Sequence, residues 1–341
     1  MEGIRFYDPL KENAFGIYGL CKSDLEKGQF RRIPDEVAKT VNDGVRFHGA
    51  NTAGGRIRFK TNSEIVVLKV KTGKKSQMYH ATPLMESGFD LYVDGIFESK
   101  FAGIVKPDFE KRDEYESEIR LGKGEKEITL NLPLYGNVYS IEIGLTEGAS
   151  LYAHRPYKYS VPIVYYGSSI TQGGCATRPG KTYQSIISRR TDSDYINLGF
   201  SGSARGEKEI AEYLSGLDMS VFVCDYDHNA SQDVLRETHY ALYETIRKNH
   251  PDIPYLMVTK PDFNYSRDDF QRRAIIMESY LKAFGNGDRQ VYFVDGSTFF
   301  TGTEIGQCTV DGVHPTDDGF ERMAKFIGEV IIKNADWEKM K

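Results

Sequence analysis

Cysteine is scarce in this sequence of 341 residues, and its placement argues against two kinds of structural site. The four cysteines, Cys21, Cys175, Cys224 and Cys308, stand far apart, and no CxxC pair occurs. Such spacing is typical neither of a disulfide framework nor of a zinc site. We therefore expect four free thiols, as in proteins of a reducing compartment.

Long apolar runs and a secretory leader are also missing. No stretch of about 18 apolar residues occurs, so neither a transmembrane helix nor a membrane partner is expected. Met1–Leu10 has no basic start, apolar stretch or small-residue cleavage site. These features predict a cytoplasmic protein, and a secreted protein whose leader had been removed would show the same pattern.

An excess of basic charge is absent as well, since 44 Lys and Arg face 49 Asp and Glu and the net charge is −5. A nucleic acid is therefore not an expected partner. The sequence does contain 40% hydrophobic residues, including 22 Tyr and 19 Phe, which is the balance of a soluble globular protein. Its length suits two domains better than one core.

Residues 1–155 show the two-residue alternation of antiparallel strands and predict a β-sandwich or jelly-roll domain. In Phe89–Val93 apolar residues alternate with polar ones. Asp94-Gly95 follows, which predicts a tight hairpin turn and a returning strand at Ile96–Phe101. Further strands are predicted over Arg56–Phe59, Glu64–Lys71, Glu116–Leu121, Lys126–Leu132 and Tyr139–Leu145.

Residues 156–341 alternate strands with helices, and the boundary between the halves falls within Ala149–Ser160. Five strands in this order predict a flavodoxin-like, doubly wound parallel sheet. The strands are expected at Ile163–Tyr166, Tyr195–Leu198, Val221–Cys224, Tyr255–Val258 and Val291–Val294. The helices are expected at Tyr183–Arg190, Glu207–Leu214, Val234–Asn249, Asp269–Phe284 and Gly319–Ile332.

Ligands of such sheets bind beyond the carboxyl ends of the strands, so the residues after each strand are candidate site residues. After the first strand comes Gly167-Ser168-Ser169-Ile170-Thr171. A serine on this tight strand-to-helix turn could act as a nucleophile beside free N–H groups. The motif is not the G-x-S-x-G elbow, and Ser169 could equally be an ordinary helix cap.

The second and third strands are each followed by a loop with a candidate oxyanion donor. Asn197–Ser203 contains Gly202, which could bring a backbone N–H close to a substrate or could simply form a turn. Asp225–Asn229 ends in Asn229, whose amide could donate to an oxyanion. A solvated loop is the alternative interpretation of this segment.

Near the carboxyl terminus comes Asp311-Gly312-Val313-His314-Pro315. Histidine supplies a base for a serine hydroxyl, and a carboxylate three residues earlier can orient it. D-x-x-H is common on surface loops and as a metal-ligand pair, but the sequence shows no further ligand at useful spacing. The four features occur in chain order at strand ends, which favours one shared site.

These residues resemble the SGNH/GDSL hydrolase superfamily, and the resemblance covers residues 160–335. It implies a catalytic triad of Ser169, His314 and Asp311, and an oxyanion hole of the Ser169 N–H, Gly202 and Asn229. Two positions depart from the family pattern. Ser168 replaces the aspartate of the G-D-S block, which is not the triad acid, and Asn229 lies deeper in its loop than usual.

The first half resembles a β-rich domain found before certain bacterial GDSL-like esterases, through the G-x-D-L-Y motif of Gly88–Tyr92. Related two-domain enzymes act on acylated carbohydrates, so the resemblance implies a carbohydrate esterase by analogy. Asp90, Tyr92 and His154 are candidates for the substrate side of the cleft. Core packing for the first two and interdomain packing for His154 are the alternatives.

The main hypothesis is therefore a serine esterase that cleaves a carboxylic ester, with a short acyl group such as acetyl on a carbohydrate or another small molecule. An acyltransferase on the same triad and a catalytically weak carbohydrate-binding protein are the alternatives. Cys175 is a further possible nucleophile, but no base is predicted beside it. No metal or organic cofactor is expected, and self-association into a homo-oligomer stays open.

Overall fold

Two antiparallel sheets in the first half of the chain and one parallel sheet in the second make up the computed structural model. It describes residues 3–73, 78–94, 99–108, 113–302 and 305–341. Within these ranges no helix is both long and apolar enough to span a membrane. All four cysteines are free thiols, as their spacing predicts.

The described residues of the first half contain ten strands that form the two antiparallel sheets. They are β1 (Ile4–Tyr7), β2 (Gly16–Tyr18), β3 (Arg56–Thr61), β4 (Ile65–Thr72), β5 (Phe89–Asp94), β6 (Ser99–Val105), β7 (Glu114–Arg120), β8 (Lys126–Asn131), β9 (Val138–Thr146) and β10 (Leu151–Tyr152). One sheet has the order β1-β9-β4-β7, and the other has the order β10-β3-β8-β5-β6 with β2 paired to β3. The predicted antiparallel β structure of the first half is confirmed.

Alternate residues of these strands point into a shared apolar core, as the two-residue period requires. Val66, Leu68 and Val70 of β4 are buried there with Phe89 and Leu91 of β5. The predicted turn at Asp94-Gly95 lies partly outside the described residues. On the described side of it, Asp94 of β5 pairs with Ser99 of β6.

Where the structure describes the first half, four short helices interrupt the β structure, which the alternation pattern did not predict. They are α1 (Lys22–Leu25), α2 (Asp35–Val41), α3 (Asp43–Gly49) and α4 (Pro83–Ser87). Seven residues or fewer are too short for a clear helical period. Ala38 of α2 and Val45 of α3 pack with Leu198 and Phe200 of the second half, so these helices belong to a core shared between the halves.

The second half contains the predicted parallel sheet, and all five strands lie where the sequence predicts them. They are β11 (Tyr159–Gly167), β12 (Ser193–Gly199), β13 (Val221–Asp225), β14 (Tyr255–Val258) and β15 (Val291–Val294). Their order, β12-β11-β13-β14-β15, is that of a flavodoxin-like sheet.

Helices cover both faces of this sheet. They are α5 (Ser169–Gln172), α6 (Tyr183–Thr191), α7 (Lys208–Ser215), α8 (Gln232–Asn249), α9 (Arg267–Gly285), α10 (Ile305–Cys308) and α11 (Asp317–Asn334), with 3₁₀ turns at Pro179–Lys181 and Gly296–Thr298. Val164 and Tyr166 of β11 pack into one core, and Ile163 and Tyr165 pack into the other. Burial on both faces explains why the strands are continuous apolar runs.

Candidate active site

Ser169 lies at the carboxyl edge of the parallel sheet, where β11 turns into α5. A side chain could not replace the hydrogen of Gly167, because its Cβ would lie 2.1 Å from the carbonyl oxygen of Asp225. The Ser168 hydroxyl caps the helix by accepting from the Ile170 N–H at 3.1 Å. Ser169 is therefore the first helical residue, and its own N–H has no intrahelical acceptor. Its residue exposure is 8%, so it is enclosed but reachable.

His314 reaches Ser169 from the loop between α10 and α11. An isolated bridge between Thr309 and Pro315 closes this loop, and the Val310 N–H donates to the His314 carbonyl at 2.8 Å. The His314 Nε2 lies 2.9 Å from the Ser169 Oγ. The structure thus brings the predicted base into hydrogen-bond distance of the predicted nucleophile, 145 positions away in the sequence.

Asp311 completes the hydrogen-bonded series on the same loop. Its Oδ2 lies 2.8 Å from the His314 Nδ1, and its Oδ1 accepts from the backbone N–H groups of Val313 and His314 at 3.0 and 2.8 Å. Burial acts to raise the pKa of Asp311, but the hydrogen bonds from His314 and Val313 outweigh it and lower that pKa to about 2. The carboxylate is ionised at neutral pH, so Nδ1 carries the proton and Nε2 faces the serine as an acceptor.

The two other predicted oxyanion donors lie on neighbouring loops. Gly202 has a left-handed φ of 67°, and no atom lies within 4 Å of the point where a Cβ would stand, so this residue borders open space. The Asn229 Nδ2 donates to the Phe200 carbonyl at 3.0 Å, which ties Asn229 to the loop that carries Gly202. An amide nitrogen has two hydrogens, so this bond uses one of them.

Gln172 is a site residue that the sequence pattern did not indicate. It is fully buried at the end of α5, and its Oε1 accepts from the Ser201 N–H at 2.9 Å. Its Nε2 donates to the Asn51 Oδ1 at 3.0 Å and to the Leu134 carbonyl at 3.1 Å. One side chain therefore joins the nucleophile helix, the Gly202 loop and the first half of the chain.

Arg32 of the first half also holds the end of β12. Its buried guanidinium donates to four backbone carbonyl oxygens, those of Asn51, Asn197, Gly199 and His48, at 3.0, 3.0, 2.8 and 2.6 Å. Burial lowers the pKa of Arg32 to about 9. The side chain is thus a cation at neutral pH, placed beneath the Gly199–Ser203 loop.

Titratable groups support the loop that carries Asn229. The Asp225 Oδ2 accepts from the Thr171 hydroxyl at 3.0 Å, and the Asp227 Oδ2 accepts from the Lys260 N–H at 3.1 Å. The His228 Nε2 lies 2.9 Å from the Asp262 Oδ1. Burial, and then the charge of Asp227, raises the pKa of Asp225 to about 7.

Asp90 is fully buried, which corrects the prediction that it lines the substrate side, whereas the predicted role of Tyr92 stays a prediction. Asp90 is 0% exposed, accepts from the Asn131 Nδ2 at 2.9 Å and the Gly180 N–H at 2.9 Å, and forms an ion pair with Arg178. The Tyr92 hydroxyl accepts from the Arg178 Nη2 at 3.2 Å. These side chains join β5 to the 3₁₀ turn that precedes α6.

His154 makes its hydrogen bonds within the first half of the chain. Its Nε2 lies 2.9 Å from the Tyr18 hydroxyl, and its backbone N–H donates to the Ala14 carbonyl. The imidazole of His154 packs directly against Gly16, where a Cβ would lie only 2.3 Å from the His154 Nε2. His154 therefore packs within the first half, just after β10, and its predicted place on the substrate side stays a prediction.

Two further side chains flank His314, although the sequence pattern predicted neither a base beside Cys175 nor a third ligand beside D-x-x-H. The His80 ring lies 5.1 Å from the His314 ring between centroids. Cys175 is buried, and its Sγ donates to the His80 carbonyl at 3.4 Å. Burial, and then the charge of Asp311, raises the pKa of Cys175 to about 12, which argues against a thiolate nucleophile.

A serine, a histidine and a carboxylate joined in series at the edge of a parallel sheet are the arrangement of serine hydrolases. The model of the GDSL-like Lipase/Acylhydrolase family matches residues 160–332. The GxDLY model, described as the N-terminus of Esterase_SGNH_hydro-type, matches residues 4–151. The chain belongs to the GDSL-like lipase/acylhydrolase family and is an ester-bond hydrolase.

Solved structures resemble the chain over both halves. A GDSL-like lipase from Bacteroides ovatus is 30% identical over 97% of each chain, with a TM-score of 0.86. The salicylyl-acyltransferase SsfX3 from a tetracycline biosynthetic pathway is 20% identical over 98% of each chain, with a TM-score of 0.79. A family two carbohydrate esterase from Clostridium thermocellum is 16% identical over 82% of this chain and 92% of its own, with a TM-score of 0.62. Sequence comparison with the curated proteins finds no match.

Proposed function

We propose that the protein is a serine esterase that removes a short acyl group, such as acetyl, from a carbohydrate through an acyl-enzyme on Ser169. The observation that carries this proposal is the series Ser169 Oγ to His314 Nε2 at 2.9 Å and His314 Nδ1 to Asp311 Oδ2 at 2.8 Å. Both distances suit proton transfer from the serine and orientation of the base.

The reaction proceeds in two halves. His314 takes the hydroxyl proton as the Ser169 Oγ attacks the ester carbonyl carbon, and the carbonyl oxygen becomes an oxyanion. The N–H groups of Ser169 and Gly202 and the remaining amide hydrogen of Asn229 stabilise that charge. The alcohol leaves with the proton from His314. Water, deprotonated by His314, then attacks the acyl-enzyme and releases the acid and free Ser169.

Tight packing beside the nucleophile supports a short acyl group. A Cβ at Gly174 would lie 3.1 Å from the His314 Cδ2, 3.1 Å from the Ser169 carbonyl oxygen and 3.0 Å from the Tyr135 hydroxyl. The backbone of Gly174 therefore stands directly against the base and the nucleophile. A wall at this distance leaves little room for a long acyl chain on that side.

Exposed aromatic rings near the site support a carbohydrate as the alcohol. Tyr79 is 100% exposed and adjoins His80, whose ring stands beside His314. Flat aromatic faces with a polar tip suit ligands that are partly apolar and partly hydroxylated. The family two carbohydrate esterase of the same fold was solved in complex with cellohexaose, which lends this assignment support from a neighbouring protein.

The first test is Ser169→Ala assayed on p-nitrophenyl acetate. We expect kcat to fall by about 10⁴-fold or more, as in other triad enzymes that lose the nucleophile. Ser188→Ala is the matched control, because its hydroxyl donates to the Ser193 carbonyl at the amino end of β12, at the opposite edge of the sheet. Undiminished turnover of Ser169→Ala would disprove the assignment.

The second test is substrate choice. Nitrophenyl esters of increasing chain length and acetylated monosaccharides and oligosaccharides should rank acetate above octanoate and acetylated sugars above simple alkyl acetates. Asn229→Ala should lower kcat on the best substrate by about 10²–10³-fold, the usual effect of losing one oxyanion donor. A preference for long acyl chains would reject the short-acyl assignment but not the triad.

An acyltransferase is the second candidate, because the likeness to the salicylyl-acyltransferase extends over 98% of this chain. In that case an acceptor alcohol replaces water in the second half of the reaction. Incubating the enzyme with p-nitrophenyl acetate and a series of sugar acceptors separates the two functions. p-Nitrophenol is released in both cases; acetylated sugar among the products supports transfer, and acetate as the sole acetyl-containing product supports hydrolysis.

A further inference from the structure

Three potential metal ligands converge beside the candidate nucleophile. A ring nitrogen of His80, a ring nitrogen of His314 and the Sγ of Cys175 all lie within 4.8 Å of one another. They come from three separate segments: the loop before α4, the loop after α5 and the loop before α11. An ion with bonds of about 2.0–2.3 Å would draw these three ligand atoms closer together than they lie without it.

Cys175 adopts a backbone conformation that a cysteine side chain disfavours. Its φ is 71°, in the left-handed region, which glycine adopts without strain and other residues disfavour. Cys175 nevertheless occupies this position, directly after Gly173 and Gly174. Its backbone N–H donates to the Met85 Sδ at 3.3 Å, and its thiol faces His80. Strained residues of this kind cluster at functional sites, so the strain at Cys175 indicates a functional role for its thiol.

The donor set selects the ion. One thiolate and two imidazoles form a ligand set that zinc accepts in tetrahedral sites, with the fourth position left for water. Magnesium and calcium prefer oxygen ligands and would bind poorly. The available lone pair on His314 is that of Nε2, since Nδ1 donates to Asp311. We propose that His80, Cys175 and His314 form a zinc site, and that the bound ion switches the esterase off.

Inhibition follows from the atom that the ion would occupy. The same Nε2 lone pair accepts the Ser169 proton in the proposed reaction, and it cannot bind an ion and a proton at once. On binding, the Cys175 thiol gives its proton to solvent, and its sulfur lone pair forms the bond to the metal. This consequence, unlike the metal site itself, rests on the proposed function.

The experiment uses the full chain, stripped with a chelator and titrated with Co²⁺ as a spectroscopic substitute for Zn²⁺. We expect visible ligand-field bands of a tetrahedral site and a near-ultraviolet thiolate-to-cobalt band. Cys175→Ser should lose the thiolate band and His80→Ala should weaken all bands, whereas the distant Cys21→Ser should leave them unchanged. Absence of the thiolate band in the unsubstituted protein would overturn the proposal.

Turnover of p-nitrophenyl acetate with added Zn²⁺ gives the second readout. Measured relative to its own activity in chelator, His80→Ala should need at least about tenfold more Zn²⁺ for half inhibition, since even outer partners of a metal typically matter that much. Equal inhibition of His80→Ala and the unsubstituted protein would place the ion elsewhere and refute the inference.

The two readouts separate this inference from the proposed function. Ser169 supplies no ligand to the proposed site. The Ser169→Ala variant should therefore retain the cobalt spectrum while losing turnover. A thiolate band together with no esterase activity in chelator would support the metal site and reject the esterase. Full activity that Zn²⁺ leaves unchanged would support the esterase and reject inhibition by the bound ion, whereas the thiolate band decides whether the metal site exists.

Discussion

Replacing Asp311 with asparagine separates orientation of the base from its charge. Asp311 Oδ1 accepts from the backbone N–H groups of Val313 and His314, and an asparagine carbonyl oxygen can do the same. The loop should therefore keep its shape. The other side-chain atom then changes from an acceptor at 2.8 Å from His314 Nδ1 to an N–H donor.

The imidazole must respond by changing its tautomer. Facing an amide donor, Nδ1 becomes the acceptor, so Nε2 carries the hydrogen and can no longer accept the Ser169 proton. The carboxylate that would stabilise the imidazolium is also lost. In a serine protease triad the same replacement lowers kcat by about 10⁴-fold, and we expect a loss of about 10³–10⁴-fold here.

The assay is kcat for p-nitrophenyl acetate, with thermal unfolding as the check on the fold. Asp252→Asn is the control, because Asp252 is exposed in the turn between α8 and β14. Since the pKa of Asp311 is about 2, the carboxylate is ionised across the assay range. The factor by which Asp311→Asn lowers kcat should therefore be similar at about pH 6 and about pH 8. A kcat within about tenfold of the unsubstituted enzyme would show that another group orients the base.

Three further predictions concern the support of the site. Gln172→Leu should destabilise the fold by about 2–4 kcal/mol in urea unfolding and slow esterase turnover, because the Ser201 N–H loses its acceptor. Arg32→Met should cost at least about 3 kcal/mol in the same assay, because buried carbonyl oxygens lose their donors. The raised pKa of Asp225, about 7, means that its contribution to stability is complete below about pH 4 and is lost as pH rises through 7. Asp225→Asn should flatten that part of the stability profile, and an unchanged slope would assign it to other groups.

The parallel sheet could be predicted because its strands are buried on both faces. Tyr255–Val258 and Val291–Val294 were predicted residue for residue, since a short apolar run between polar helices has few other interpretations. The candidate triad followed from topology. Parallel strands bring their carboxyl ends to one edge, so Ser169 and the D-x-x-H loop were expected to meet there, and the structure places them in hydrogen-bond distance.

The support of the site could not be predicted, because its bonds join segments distant in sequence. Arg32 donates to the carbonyl of Gly199, 167 positions away, and Gln172 donates to Asn51, 121 positions away. Neither residue belongs to a motif. Every residue has a backbone carbonyl, so the sequence does not indicate which carbonyls accept a hydrogen bond from a distant side chain. The helices α2 and α3 were missed for another reason, since their burial is decided by the neighbouring half rather than by their own period.

The motif that contains Asp90 was recognised correctly, but the substrate-side role predicted for Asp90 was wrong. The alternation that predicts β5 places Phe89 and Leu91 on one face and leaves Asp90 on the other, which a sequence presents as open to solvent or substrate. The opposite face is covered instead by the turn at Pro179–Lys181 and by Arg178. A carboxylate in that position holds the two halves together, so the motif describes an internal contact.

The contacts between the halves bear on what the β-rich half does for catalysis. Tyr135 of that half donates to the carbonyl of Ser169 at 3.3 Å, Arg32 holds the carbonyl of Gly199, and Asn51 accepts from Gln172. Without them, buried polar groups beneath the nucleophile and the Gly202 loop would lose their partners, and unpaired groups of this kind are costly. The proposed oxyanion donors must be held in place before the charge develops if they are to stabilise it. The β-rich half is therefore part of the framework that fixes those donors, whatever it contributes to substrate choice.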